Sequence, residues 1–186
     1  YVRKHNLYTQ YRAMADKLRP YLTEKRFMHT FHVVKRGLEL CTAEEYDKVF
    51  VTCLLHDCAK YLSPDRYADY GFVRPCDMPD SVVHAFLGAL VAEKDFGVTD
   101  NEILNAIRYH CTARPNMTRL DKIVYVADKT EETRPYPLSH LLCGTLDEMF
   151  VKCLFEANRY CLTNHAGNVY YLTSQALDFY KNQANA

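Results

Sequence analysis

The sequence predicts an all-α fold in a single domain, and three observations predict it. Apolar residues recur at three- and four-residue spacing along most of the chain, whereas the alternation of half-buried strands is weak. Gly and Pro are sparse, with six and seven copies. A length of 186 residues suits one domain with a substantial core and is short for two. With 48% apolar and 25% charged residues, the composition is that of an ordinary globular chain, not a disordered or fibrous one. Lys plus Arg equals Asp plus Glu at 23 each, so the electrostatic footprint of a nucleic-acid binder is missing. No apolar run approaches bilayer length, which speaks against a membrane protein.

The elements follow in order. Tyr1 to Leu18 forms an opening helix that ends near Pro20. Thr23 to Cys41 carries the stripe Phe27, Phe31, Val34, Leu38 and Cys41, as one face of a helix requires. Ala43 to Tyr61 is apolar nearly all round through Val49–Leu55, which predicts a helix buried on most sides. Ser63-Pro64-Asp65 opens a short helix closed by Gly71, and Pro75 to Pro79 is a loop. Ser81 to Phe96 is helical up to Gly97, and Thr99-Asp100-Asn101-Glu102 reads as a capping box opening a helix to His110. Arg114-Pro115-Asn116 turns the chain into a helix from Thr118 to about Lys129. After Pro135 and Pro137, a long helix is expected over Leu138 to Leu162, with Leu142, Leu146, Met149, Phe150, Cys153, Leu154 and Ala157 on one side. A last helix covers about Tyr170 to Asn182. The motif-bearing core then spans about 24–137 and the C-terminal helices about 138–182 of one domain over 1–186. The long C-terminal stripe serves the core, or else a homodimer.

Eight cysteines are present, none in a C-x-x-C pair and most inside apolar helical runs. They read as reduced core thiols. Together with the lack of a signal-peptide pattern, they predict a cytoplasmic protein.

The chemistry concentrates in Leu54-Leu55-His56-Asp57-Cys58-Ala59-Lys60, which puts an imidazole, a carboxylate and an ammonium into the most apolar helix. Buried charge without a partner costs several kcal/mol. Either a divalent cation or hydrogen bonds to neighbouring helices must satisfy these groups. Other helices favour the cation. His110 shares a stripe with Ile103, Ala106 and Ile107; Asp128 lies beside Val124; His29 aligns with Val33 and Leu40; His84 sits at the edge of a stripe. One inward histidine is ordinary, but four helices each offering a His or Asp point to one shared site.

A His, a His-Asp pair, two further histidines and a distant Asp resemble the HD phosphohydrolase superfamily. The segments Arg26-Phe27-Met28-His29-Thr30, Leu54–Lys60, Ile107–His110, Thr112–Met117 and Leu120–Asp128 resemble, within it, the bacterial YqeK family of symmetrical bis(5′-nucleosyl)-tetraphosphatases. That resemblance runs from about Arg26 to Pro137. It implies an HD-type helical bundle and an iron site, of one or two ions, with manganese or another divalent metal as the alternative. His29, His56, Asp57 and Asp128 are its implied ligands. His84 and His110 match positions that either hold a second metal or contact substrate phosphates. The implied reaction is hydrolysis of diadenosine tetraphosphate into two ADP by hydroxide from a metal-activated water. Asp57 or Asp128 would orient it. Lys60 and Arg114 are the candidate phosphate binders, with Arg26, Thr112 and Arg134 beside them. Arg108, Lys122 and Lys129 read as a solvated face, and His5, His32, His140 and His165 are assigned no role. The family usually has Gly where Ala113 and Asn116 stand, and Lys129–Arg134 departs from its commoner pattern. Competing readings are a nucleotidase acting on nucleoside mono- or triphosphates, a non-catalytic nucleotide-sensing module, and a helical scaffold with hydrogen-bonded His and Asp.

Overall fold

The computed structural model describes residues 7–164 and 169–184. Eight α-helices are seen among them: α1 (Leu7–Leu18), α2 (Glu24–Leu40), α3 (Tyr46–Leu55), α4 (Asp80–Phe96), α5 (Asn101–Tyr109), α6 (Arg119–Thr130), α7 (Leu146–Asn164) and α8 (Tyr171–Ala184). Short 3₁₀ turns cover Arg19–Tyr21, Ala43–Glu45 and Pro64–Tyr70, and no strand occurs among the described residues. The all-α expectation is borne out. The part of the opening helix expected over residues 1–6 lies outside the described residues, as does His165.

Local chemistry explains most boundaries. Thr23 accepts the Arg26 N–H and caps α2, and Thr118 and Asp121 form a reciprocal capping box on α6. The residue that caps α5 is Asp100, accepting from Glu102 N–H, not the expected Thr99. Gly71 and Gly97 end their segments in the left-handed conformation at φ 67° and 69°, which an L side chain enters only at a cost.

Two helices are shorter than expected. The run through Tyr61 leaves the α-helix after Leu55. There the N–H groups of Cys58, Lys60 and Leu62 bond back three residues instead of four, so His56 and Asp57 sit on a tightened turn. The long C-terminal helix begins at Leu146, not Leu138. Its start is set by Thr145 and Glu148, each bonding the other's backbone N–H, after Gly144 at φ 93°. That capping box, Thr145 to Glu148, opens the helix eight residues after its expected start at Leu138, because the reciprocal caps fix the first turn there.

α2 packs on α3 and α6, α4 on α5, and α6 on α5 and α7. One core joins Phe27 and Val33 of α2, Val49 and Leu54 of α3, Leu87 of α4, Ile103 and Ile107 of α5, and Ile123 of α6. A second lies on the other side of α6, where Tyr125 and Val126 meet Phe150, Cys153 and Leu154 of α7 and Leu177 and Tyr180 of α8. The stripe from Leu146 to Leu154 is thus packed within the chain. α2 and α3 approach closely at Gly37, where a Cβ would stand 2.7 Å from Cys53 Sγ and 3.0 Å from Val49 Cγ1. Gly37→Val should therefore overpack this contact and cost about 1–3 kcal/mol. The effect would appear as a lower urea midpoint at unchanged m-value.

Candidate metal centre

Each histidine of the motif is aimed by a second bond. His56 follows the last residue of α3, and its Nδ1 lies 2.7 Å from the Cys53 carbonyl. His110 follows α5 in the same way, with Nδ1 2.7 Å from the Ile107 carbonyl. A carbonyl only accepts, so both Nδ1 atoms carry a proton, and each ring in its neutral, metal-binding form presents the Nε2 lone pair. His29 Nδ1 is 3.2 Å from Glu131 Oε1, which imposes the same tautomer. Imidazoles oriented by a carbonyl or carboxylate behind them are the usual arrangement of metal-binding histidine.

The Nε2 atoms converge on two carboxylates. Asp128 Oδ1 lies 3.3 Å from His29 Nε2 and 3.8 Å from His56 Nε2. Asp57 stands between two groups of histidines. Its Oδ2 is 3.5 Å from His56 Nε2; its Oδ1 is 3.0 Å from His84 Nε2 and 3.8 Å from His110 Nε2. All six side chains are buried. Among the described residues, His29 Nε2 and His56 Nε2 are fully buried and make no hydrogen bond. Leaving such groups unpaired costs about 1–3 kcal/mol each. Two orphaned lone pairs beside two carboxylates are what a divalent cation satisfies, and the donor set of imidazole nitrogen and carboxylate oxygen fits one. His29, His56 and Asp57 can bring ligand atoms within 4.8 Å of one another, and so can His84, His110 and Cys111.

Cations hold the carboxylates ionised. Burial opposes ionisation of Asp128, but Lys129, His29 and Arg134 outweigh it and hold the carboxyl well below its ordinary range. Burial likewise opposes ionisation of Asp57, and with no metal bound the protonated rings of His56 and His84 overcome it. Arg26 Nη1 also donates to Asp57 Oδ2 at 2.9 Å. Lys60 Nζ lies 3.1 Å from His84 Nε2. Arg134 donates from Nε and Nη2 to the Asp128 carbonyl and from Nη2 to its Oδ1. Thr112 is buried, bonds the Ala113 carbonyl, and accepts from Thr173 through its own carbonyl. Arg114 is committed to Asp121 at 2.7 Å and lies over the Tyr109 ring, which ties its turn to the start of α6.

Three residues were missed by sequence reasoning. Lys129 does not belong to a solvated face: its ammonium donates to Asp128 Oδ2 at 2.7 Å and lies over Tyr125. Glu131, 1% exposed, orients His29. Its only signal was a carboxylate three residues beyond Asp128. Cys111 places Sγ 3.2 Å from His110 Nε2 and 3.3 Å from His84 Nε2. Elsewhere Cys76 and Cys143 are exposed, against the expected core placement, while Cys53, Cys58 and Cys153 are buried.

A cavity of about 1120 Å³ opens beside the centre. Cys111, Thr112, Lys129 and Arg134 line its inner part, and Tyr136, Tyr160 and Tyr170 are also in its wall. It exceeds the roughly 300–1,000 Å³ of ordinary small-ligand pockets.

The turn that carries Thr112 is left-handed at Ala113 (φ 58°) and Asn116 (φ 53°). Ala113→Gly would relieve about 1–2 kcal/mol of steric cost. It would also add about 0.5–1 kcal/mol of chain entropy and lose about 0.8 kcal/mol of methyl burial. These contributions offset, so thermal denaturation should show a change under about 1 kcal/mol. Ala113→Val, β-branched at positive φ, should lose about 1–3 kcal/mol.

Comparison with known proteins agrees with this geometry. The HD domain family profile matches residues 26–133. The symmetrical bis(5′-nucleosyl)-tetraphosphatase of Halalkalibacterium halodurans is 32% identical over 135 residues, 64% of this chain and 68% of the relative. A protein of the same description from Bacillus subtilis is 35% identical over 125 residues, 62% of this chain and 66% of the relative. The crystal structure of a predicted HD superfamily hydrolase involved in NAD metabolism, from Clostridium acetobutylicum, superposes with a TM-score of 0.84 at 26% identity, covering 93% of this chain and 97% of that one. No helix of the described residues is long and apolar enough to cross a membrane. The profile match, these relatives and the convergent His and Asp side chains together show that the chain belongs to the HD domain family, a metal-dependent family, and groups with its YqeK-type members.

Proposed function

We propose that this chain hydrolyses diadenosine tetraphosphate symmetrically into two ADP, using iron held by His29, His56, Asp57 and Asp128. The observation that carries the proposal is the pair of orphaned Nε2 atoms, His29 and His56, facing two ionised carboxylates. The relatives described as symmetrical tetraphosphatases supply the substrate. When bound, the ion offsets phosphate charge and lowers the pKa of a water that serves as nucleophile.

The chain's own residues do the rest. Asp57 and Asp128 accept hydrogen bonds and orient the attacking water. Arg26, Lys129 and Arg134 contact the carboxylates, Lys60 lies against the His84 ring, and the four offset the negative charge of the polyphosphate. Water adds across the central P–O–P bridge, and ADP departs as an ionised phosphate needing little protonation. The cavity beside Lys129 and Arg134 takes one nucleoside half, with Tyr136 offering a face for the base. The eight free thiols support a reducing, cytoplasmic setting.

The test is incubation of metal-restored protein with diadenosine tetraphosphate, followed by separation of the nucleotides. ADP as sole product is expected. AMP with ATP would overturn the central point of attack, and turnover of nucleoside monophosphates alone would support a nucleotidase.

A further inference from the structure

Cys111 follows His110 on the wall of the cavity, and its surroundings are more specific than packing requires. Sγ is 3.2 Å from His110 Nε2 and 3.3 Å from His84 Nε2. His110 Nε2 presents a lone pair, because its Nδ1 proton goes to the Ile107 carbonyl. The carboxylate Oδ1 of Asp57 faces the same two rings at 3.0 and 3.8 Å. Zinc–nitrogen and zinc–sulfur bonds of about 2.0–2.3 Å at a tetrahedral angle place neighbouring N and S ligands about 3.5 Å apart. The observed separations are close to such an edge.

We propose that Cys111 supplies a thiolate ligand to a second divalent-metal position, beside His84, His110 and Asp57 Oδ1, while Asp57 Oδ2 faces the first. This rests on the metal-centre reading above and goes beyond it by giving the second position a sulfur donor. On binding, the thiol proton leaves to solvent as the S–metal bond forms, with no change of oxidation state. Sulfur biases the position toward zinc or cobalt(II) and away from magnesium and manganese. The exposed side of Cys111, on the cavity wall, leaves room for phosphate oxygen or water. The two metal positions then differ in chemistry: nitrogen and oxygen donors at the first, nitrogen, oxygen and sulfur at the second.

The experiment loads metal-free full-length protein with cobalt(II) alone and records its absorption spectrum and bound stoichiometry. Two cobalt ions per chain are expected, the second bringing a thiolate-to-cobalt charge-transfer band in the near ultraviolet. Cys111→Ser should lose that band, keep the first ion, and bind zinc at the second position at least about tenfold more weakly. Its unchanged circular dichroism would show that the fold is intact. A wild-type protein binding two ions without the band would overturn the proposal, leaving Cys111 a thiol that donates to His110. A band that survives Cys111→Ser would overturn it as well. Failure to bind any cobalt would overturn the metal-centre reading itself.

Discussion

Asp57→Asn should abolish hydrolysis and strip the metal, and it is expected to do so with the fold intact. Asp57 faces both groups of histidines, through Oδ2 to His56 and Oδ1 to His84 and His110. Asn keeps the size and one carbonyl oxygen, so packing among Leu54, Leu55 and Cys58 is undisturbed. It removes the negative charge that offsets the cation and Arg26. Metal assistance is worth several kcal/mol in a reaction of this class, and about 4 kcal/mol corresponds to a thousandfold in rate. The expected result is at least that loss in kcat/KM together with metal content near zero by elemental analysis. Wild-type turnover by a metal-free Asp57→Asn protein would sink the mechanism.

Arg134→Ala comes second in expected size, acting through Asp128. Its fork donates to both the carbonyl and the carboxylate of Asp128, at the point where α6 ends and its last carbonyls lack partners of their own. Losing the fork frees the carboxylate to rotate toward Lys129. Orienting partners of this kind are worth about 10–100-fold in metal affinity. Stability should fall by about 1–3 kcal/mol, less than for a fully buried pair, since Arg134 is about a quarter exposed. Arg134→Lys should recover little, because a single ammonium cannot reproduce the planar fork. If Arg134→Lys bound metal as tightly as the wild type, charge alone would matter and the positioning role would be wrong.

What the sequence revealed and what it hid follow from where the physical signals lie. Helical periodicity and punctuation such as Ser63-Pro64, Gly71 and Gly97 are local, and they located most helices. The ends of α3 and α7 escaped because a long apolar run masks a tightened turn, and a prominent stripe distracts from the Thr145–Glu148 box. The structure brings His29, His56, Asp57, His84, His110 and Asp128 together in one place, six residues drawn from distant parts of the chain. Inward-facing polar residues on apolar stripes made them visible. Lys129 and Glu131 were not visible, since a Lys and a Glu at a helix end ordinarily face water, and only packing against α2 and α7 buries these two. Cys111 was lost among seven other cysteines of the same apolar character. Arg114 went the other way: its turn drew attention to it, but the structure gives its charge to Asp121.

The most direct test is to locate the metal by anomalous scattering from crystals grown with iron or manganese. The account predicts a peak within bonding distance of His29 Nε2, His56 Nε2 and carboxylate oxygens of Asp57 and Asp128. A fully loaded, active crystal with no peak there, or with the ion bound elsewhere, would contradict it.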